Sequence, residues 1–412
     1  MKKLFLIDAY ALKFKYYYAF YGRPMRNRAG MNTSIVFGFT KFLRDIQKRE
    51  KPDLLGVAFD PEGGSFRRQM FEQYKANRPQ TPEDIIQSVP YVKRIVEAMC
   101  IPILEVEGYE ADDVIGTLAF KGAEAGYEVY MVTPDKDYGQ LVDDSCKIYK
   151  QKGDQIEIID SQAIKDKYGI DDPMLVSDIL ALWGDTSDNI PGVAGVGEKT
   201  AVALINSFKT LENIYENIDS TEIKNGVRTK LINDKDNAFL SRELGKICCE
   251  VPIDTNIGNY TVKHHDNGKL AYALADLELF KLIERMGLEN ERIEATETET
   301  KTKQSFKIVS INDILTDEVI DLIYYQNDIV LVSGEKIAAT EYDDEFLFSI
   351  GNKKIRVYDS KELYHILLNQ NISPTVFKFD TMLAGYLLNP SSTAYDINKL
   401  YSAYILKEIK AK

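Results

Sequence analysis

Lys3-Leu4-Phe5-Leu6-Ile7-Asp8, near the start of the chain, is a short apolar run closed by an acid. Four consecutive apolar residues, rather than alternate ones, fit a parallel strand buried on both faces, with the carboxylate at its C-terminal edge. Leu54-Leu55-Gly56-Val57-Ala58-Phe59-Asp60 repeats the design, and so does Glu128-Val129-Tyr130-Met131-Val132-Thr133-Pro134-Asp135-Lys136-Asp137. Helical patterns lie between them, at Ser34 to Arg49, Asp84 to Met99 and Asp112 to Ala125. Strands alternating with helices predict an α/β fold on a parallel sheet, in which sites form beyond the carboxyl ends of the strands. Three strands each ending in aspartate therefore predict one site fringed with carboxylates.

Other acids can join it. Glu110-Ala111-Asp112-Asp113 opens a helix, where the dipole favours acids in any case, but Glu110 and Asp113 stand three apart and can face one point. Asp135 and Asp137 alternate, so both point one way if the strand continues that far. Leu182 to Ala203 reads LWGDTSDNIPGVAGVGEKTAVA. On a helix, Asp185 and Asp188 would share a face, a spacing suited to a divalent cation. Gly195-Val196-Gly197 followed by Lys199-Thr200-Ala201 reads as a helix–hairpin–helix. Its glycines let backbone N–H groups approach a DNA phosphate at the start of the next helix. Such a grip positions the backbone and ignores base sequence. Alone, the hairpin is also compatible with an ordinary glycine-rich turn. Beside nine carboxylates (Asp8, Asp60, Glu110, Asp112, Asp113, Asp135, Asp137, Asp185 and Asp188) it predicts metal-dependent chemistry on nucleic acid.

Bulk properties narrow the class. A chain of 412 residues, 44% hydrophobic and 28% charged, is expected to form two or more globular domains. The apolar run at its start is cut short by Asp8, and no stretch is long enough to span a bilayer, so a cytoplasmic protein with no membrane partner is expected. Its four cysteines show no CxxC pairing, which argues against a zinc site or a disulfide framework. All three histidines lie beyond residue 260, so catalysis in the first half must rely on carboxylates, which bind hard cations such as Mg²⁺ or Mn²⁺. The net charge of −13 opposes phosphate attraction. Bases cluster locally, however, at Lys41, Arg44, Lys48, Arg49 and Lys51, then at Arg67, Arg68, Lys75 and Arg78. A local patch matters more than the sum.

Between the second strand and the next helix, Glu62 to Pro90 mixes these bases with Phe66, Phe71 and Tyr74, a combination suited to tracking a backbone and stacking unpaired bases. A solvated basic helix with packed aromatics has the same composition. Leu204 to Leu288 reads as helical. Residues 289–304, rich in Glu and Thr, read as a linker. Beyond it, strand patterns at Phe306 to Ser310, Ile329 to Ser333 and Phe346 to Tyr358 alternate with helical ones at Lys361 to Asn369 and Phe379 to Asn389. They predict a second, smaller α/β unit, with a last element from Ile397 to Ile409.

LIDAYALKFKYYYAF, VAFDPEGGSFRR, YKANRP, EGYEADDVIGTLA, VTPDKD and GDTSDNIPGVAGVGEKTA together resemble the flap endonuclease family, in the form of the 5′ nuclease domain of bacterial DNA polymerase I. The resemblance covers roughly residues 1–290 with all motifs in order. It implies a parallel-sheet, PIN-like core at 1–288, a helical arch at about 62–90 and a helix–hairpin–helix at about 182–206. It also implies two or more Mg²⁺ or Mn²⁺ ions, held by Asp8, Asp60, Glu110, Asp112, Asp113 and Asp135 at inner sites and by Asp137, Asp185 and Asp188 at an outer one. By motif, Lys75 and Arg78 present a basic pair to the scissile phosphate, next to the catalytic acids Asp60 and Asp112. DNA contacts are implied for Lys15, Arg67, Tyr74, Gly195, Val196, Gly197, Lys199 and Thr200, with K⁺ at the hairpin. Lys15 stands where the family usually has arginine, so its phosphate contact is a point charge rather than a bidentate fork.

Residues 305–412 resemble, less specifically, the ribonuclease H-like 3′–5′ exonuclease domain of the same polymerases, through FDTMLAGYLLNP and Tyr395-Asp396-Ile397. The strand expected to carry Asp-x-Glu reads Ser333-Gly334-Glu335, and the next acidic segment reads Tyr358-Asp359-Ser360-Lys361-Glu362-Leu363. A two-metal site short of ligands does not form, so an inactive, partial domain is expected. The absence of a following polymerase domain reads as a fragment or truncated gene. The expected activity is hydrolysis of DNA phosphodiesters to 5′-phosphate products on 5′ flaps and nicked or gapped duplexes, by a monomer serving replication and repair. The competing expectations are a non-catalytic DNA-binding scaffold and, disfavoured by the hairpin, a related acid-site ribonuclease.

Overall fold

A computed structural model gives the fold; the described residues are 2–153, 155–288, 306–325, 328–341, 353–369, 377–388, 395 and 397–400. The expected linker and the expected end of the last element, from 401 onward, lie outside them. The chain divides into two units, Met1–Ala273 and Leu274–Lys412. The division falls inside the helix Asn267–Asp276.

In the first unit, strands β1 (Lys3–Asp8), β2 (Leu54–Ala58), β3 (Ile103–Leu104), β4 (Glu128–Val132), β5 (Cys146–Lys152) and β6 (Gln155–Ile159) form one sheet in the order β3-β2-β1-β4-β5-β6. Every neighbouring pair is parallel except β5 with β6 at the edge. Leu4, Phe5, Leu6 and Ile7 of β1 are fully buried, as a central parallel strand requires. Helices α1 (Ala9–Ala19), α2 (Ser34–Glu50), α3 (Phe66–Met70), α4 (Glu83–Ala98) and α5 (Ala111–Glu124) supply the crossovers. Successive strands step from β1 through β2 to β3, and the chain then returns to place β4 on the other side of β1. The order thus reverses between β1 and β4, and the crevice outside their carboxyl ends is where such a sheet opens a site.

Beyond the sheet, Val176–Trp183 and Glu198–Phe208 are the two helices of the expected helix–hairpin–helix. The segment between them differs from the reading. Gly184, in the left-handed region at φ 75°, ends the first helix, and Asp185 and Ile190 exchange backbone hydrogen bonds of 3.0 and 2.8 Å. Asp185 and Asp188 therefore lie in a closed loop, not on a helix face. Asp135 and Asp137 are likewise not alternating strand positions, because β4 ends at Val132 and Asp137 begins a short 3₁₀ turn. The expected arch is one five-residue helix, α3, followed by turns up to the start of α4.

The second unit holds a mixed six-stranded sheet. Its strands are β7 (Lys307–Ile308), β8 (Val319–Tyr325), β9 (Asp328–Ser333), β10 (Lys336–Glu341), β11 (Lys354–Val357) and β12 (Phe379–Asp380), in the order β12-β11-β8-β9-β10-β7. The pattern reading missed β8 and β10. Ser333-Gly334-Glu335 is the hairpin between β9 and β10, with Gly334 at φ 58°. Two acids of this unit serve its own structure. Asp321 pairs with Arg356 at 2.6 and 2.5 Å, and Asp380 accepts from the Ser360 and Leu383 amides.

The loop after Gly184 is tight enough to test. A Cβ on Gly192, which sits at φ 61°, would come within 2.5 Å of the Gly184 amide nitrogen. Gly192→Ala is expected to lower stability by about 2–4 kcal/mol, because backbone, not a movable side chain, stands in the way. Urea unfolding measures it; an unchanged midpoint would show that the loop relaxes freely.

Candidate active site

Asp8 ends β1 and caps α1, accepting the Ala11 amide at 3.1 Å and the Thr133 hydroxyl at 3.1 Å. Asp60 follows β2 and accepts the Ala111 amide at 3.0 Å, which ties it to the start of α5. Glu110 caps α5 and Asp112 lies in its first turn. Asp135 follows β4 and accepts the Asp137 amide at 3.0 Å. These five, with Asp188, line one cleft of about 720 Å³ at the switch between β1 and β4. Lys13, Lys15, Lys75 and Arg78 line the same cleft.

The carboxylates repel one another there. Burial, reinforced by Asp60, pushes Asp8 up to about 7. Burial, reinforced by Asp135, pushes Asp137 up to about 8. Burial also raises Asp112 and Asp135. Glu110 goes the other way: burial raises it, but Lys75 and Arg67 more than offset that. Its partners are the Lys75 ammonium at 2.8 Å, the Tyr74 hydroxyl at 3.0 Å and the Ser65 hydroxyl at 3.1 Å.

Lys75 and Arg78 reach the cleft through a latch. The Lys75 amide donates to the Asp188 carbonyl at 2.8 Å, the Asn77 amide group to the Thr186 carbonyl at 2.6 Å, and the Asn189 amide group to the Gln73 carbonyl at 2.7 Å. Lys75 itself holds φ 58°, a left-handed conformation that costs a side-chain-bearing residue about 1–2 kcal/mol. Arg78 then donates to Asp188 through Nε at 3.1 Å and also through Nη2. Its Nη1 reaches the Tyr10 hydroxyl at 3.4 Å.

Several expected residues lie elsewhere. Arg67 is 1% exposed and forks onto Asp113 with two 2.7 Å bonds, while donating to the Leu244 and Lys246 carbonyls at 2.8 Å each. Asp113, 0% exposed, also accepts the Glu110 and Cys248 amides. Neither lines the cleft: Arg67 is a structural residue rather than a DNA contact, and Asp113 has no free lone pair aimed at a metal. Tyr74 is 4% exposed, packed with Ile190 and Leu244, and so presents no ring for base stacking. Asp137 and Asp185 sit outside the cleft lining, with Asp185 held by Lys136 at 2.9 Å and by Ser187 at 2.7 and 2.6 Å. In the hairpin, Gly195, Gly197 and Lys199 are exposed and Thr200 is half-buried, but the Val196 side chain lies in the core and its amide is bonded to the Val193 carbonyl.

The sequence reading missed Tyr10, Lys13 and Tyr138, which also line the cleft. Tyr10, Lys13 and Phe14 are spaced i, i+3, i+4 just after Asp8, so the helical period alone could have found them. Burial lowers the pKa of the Lys13 ammonium, with Asp60 and Asp8 acting against it. Tyr138 carried no signal, being one buried aromatic among many.

As a cation site the donor set is hard and oxygen-only. Among the described residues, no three of these acids are already drawn together closely enough to hold an ion. Yet the buried Asp137 Oδ1 and Tyr138 hydroxyl have no hydrogen-bond partner, and neighbouring carboxylates add to the rise of Asp8 and Asp137. The residues fit a divalent cation by chemistry.

Comparison with known proteins agrees with the geometry. Residues 3–169 match the model of the 5′-3′ exonuclease N-terminal resolvase-like domain, and residues 172–268 that of the 5′-3′ exonuclease C-terminal SAM fold. The chain belongs to the 5′–3′ exonuclease family. Residues 296–412 match the ribonuclease H-like domain of DNA polymerase I. The DNA polymerase I of Caldicellulosiruptor bescii is 33% identical over 435 aligned residues, covering 99% of this chain and 49% of that protein. The Bacillus subtilis DNA polymerase I is 32% identical over 433, covering 98% and 47%. The chain thus spans about half the length of the curated relatives it matches. The fold of T5 5′-exonuclease, solved with zinc bound, is similar at TM-score 0.52 and 18% identity, over 60% of this chain and 90% of that one.

Breaking the buried pair separates structure from chemistry. Arg67→Met should cost about 3–5 kcal/mol, since it leaves Asp113 charged, buried and unpaired. Arg67→Met with Asp113→Leu should recover part of that loss in urea unfolding. Equal, small losses in both variants would refute a structural role for the pair.

Proposed function

We propose that this 5′–3′ exonuclease domain hydrolyses DNA phosphodiesters at 5′ flaps and at nicked or gapped duplexes, leaving 5′-phosphate products. One observation carries the reading: Asp8, Asp60, Glu110, Asp112, Asp135 and Asp188, brought from separate elements, line one cleft with Lys75 and Arg78. Asp8, Asp60, Asp112 and Asp135 would hold Mg²⁺ or Mn²⁺ on the sheet side, and Asp188, with Asp137 and Asp185 behind it, on the other. When bound, divalent cations supply Lewis-acid activation of the attacking water and neutralise charge on the leaving oxygen. The chain's own contribution is positioning and charge. Glu110 and Asp188 hold Lys75 and Arg78 extended into the cleft, so that a substrate phosphate can exchange places with those carboxylates. The two cations then lie where negative charge develops in the transition state. The exposed backbone of Gly195 and Gly197, with Lys199 and Thr200, would grip duplex phosphates, with or without K⁺.

The second unit, whose Asp321 is bound in an ion pair and whose Asp380 caps helix-start amides, acts as a structural domain. A polymerase domain, as in the relatives, would be the natural partner in replication and repair, and the chain would act as a monomer in the cytoplasm.

Cleavage of a 5′-labelled flap duplex tests this directly. Cutting near the junction should require Mg²⁺ or Mn²⁺, and Asp60→Asn should lower it at least about a hundredfold with binding retained. Binding without cutting in either cation would reject the nuclease and leave a DNA-binding scaffold.

A thermal-shift series checks the cation independently. Asp8 and Asp137 hold their protons more tightly folded than unfolded, so their contribution to stability is present at low pH and is lost as pH rises through about 7 to 8. In EDTA, Tm should therefore fall between about pH 5 and about pH 8, and Mg²⁺ or Mn²⁺ should restore it, more at the higher pH, because ligands bind deprotonated. A Tm indifferent to both cations at every pH would argue against the metal site.

A further inference from the structure

The cleft contains a cation that the reading above leaves unused. Lys15 is bonded to the Gln151 side chain at 2.9 Å, Lys75 to Glu110 at 2.8 Å, and Arg78 to Asp188 at 3.1 Å. Just outside the lining, Lys136 is bonded to Asp185. Lys13 is different. It is only 7% exposed and lines the cleft, yet among the described residues its ammonium makes no hydrogen bond or ion pair. Two rings lie near it, with Nζ 5.6 Å from the Phe59 centroid and 6.0 Å from that of Tyr10. Asp60 and Asp8 are the charges that act on it most strongly. Neither comes within ion-pair distance of it.

Sequestering an ammonium without a contact partner is costly, and a lysine stem that only filled space would be replaced more cheaply by an apolar residue. The partner must then be something that enters the cleft. Among the described residues no acid reaches it, and the ligand that enters a nuclease cleft is a phosphodiester. We propose that Lys13 is a phosphate-binding residue of the cleft, contacting a non-bridging oxygen of the substrate backbone beside Asp8 and Asp60. Because it starts unpaired, Lys13 engages the phosphate without first giving up a carboxylate, which Lys75 and Arg78 must do. It is a point charge on a four-carbon stem near two rings, so it adds attraction and position rather than a bidentate fork.

This inference rests on the nuclease reading of the same cleft, and the experiment separates the two. Binding of a fluorescent 5′-flap duplex to the full chain is followed by anisotropy in EDTA over a series of salt concentrations, for the native protein, Lys13→Met and Lys13→Arg. Losing one phosphate contact should weaken binding several-fold and reduce the slope of log K against log salt by about 0.9, while Lys13→Arg keeps the native slope. Thermal melting accompanies it; Lys13→Met should melt at or above the native Tm, since a buried charge is removed. An unchanged slope in folded Lys13→Met, with the native protein binding DNA normally, overturns the phosphate contact alone and makes Lys13 a counter-charge for Asp8 and Asp60. Failure of the native protein to bind the duplex overturns both readings.

Discussion

The Arg67–Asp113 pair fastens three parts of the first unit at one buried point. Arg67 comes from α3, Asp113 from the first turn of α5, and the Leu244 and Lys246 carbonyls from the end of the helix Lys235–Gly245. Each hydrogen-bonding group is satisfied, which is the condition under which a buried ion pair is tolerable at all. The result is that the start of α5 cannot drift. Glu110 and Asp112, just ahead of Asp113 in the chain, are set against the sheet edge although both are carboxylates beside other carboxylates. Without a fixed α5, their repulsion would be relieved by moving apart.

The rest of the site follows from crowding charge against that fixed edge. Acids at the ends of β1, β2 and β4 meet because the strand order reverses there. Two basic side chains are held over them by the latch between residues 73–77 and the loop 186–189. That loop closes because Gly184 and Gly192 let two backbone segments approach more closely than any side chain would allow. The same glycines that shape the approach to the hairpin also place Asp188 under Arg78, so the hairpin and the cleft charge share one mechanical element.

The two units use their acids differently. In the first, Asp8, Asp112, Asp135 and Asp137 are raised by burial; in the second, Asp321, Asp359 and Asp380 are engaged with Arg356 and with helix-start amides. Satisfied acids have little left to offer a cation. The contrast is one of hydrogen bonding, and it distinguishes a reactive edge from a structural one within a single chain.

Local chemistry was enough to read the buried strands, the flanking helices, and the acids at strand ends, because an apolar run ending in a carboxylate has few other physical uses. It also pointed to the hairpin glycines. Which of those acids share a cleft was decided only by tertiary structure. Asp113 and Arg67 look like a ligand and a DNA contact in one dimension, yet they neutralise each other because the end of the helix Lys235–Gly245 closes over both. Asp185 and Asp188 have helical spacing, but Gly184 ends the helix one residue earlier. Lys13 carried no motif; the helical period could place it on a face of the helix that Asp8 caps, but only the folded structure shows it buried in the cleft without a described partner. Spacing along the chain determines which groups can face one another locally; burial, charge pairing and backbone closure from distant segments determine which of them remain available.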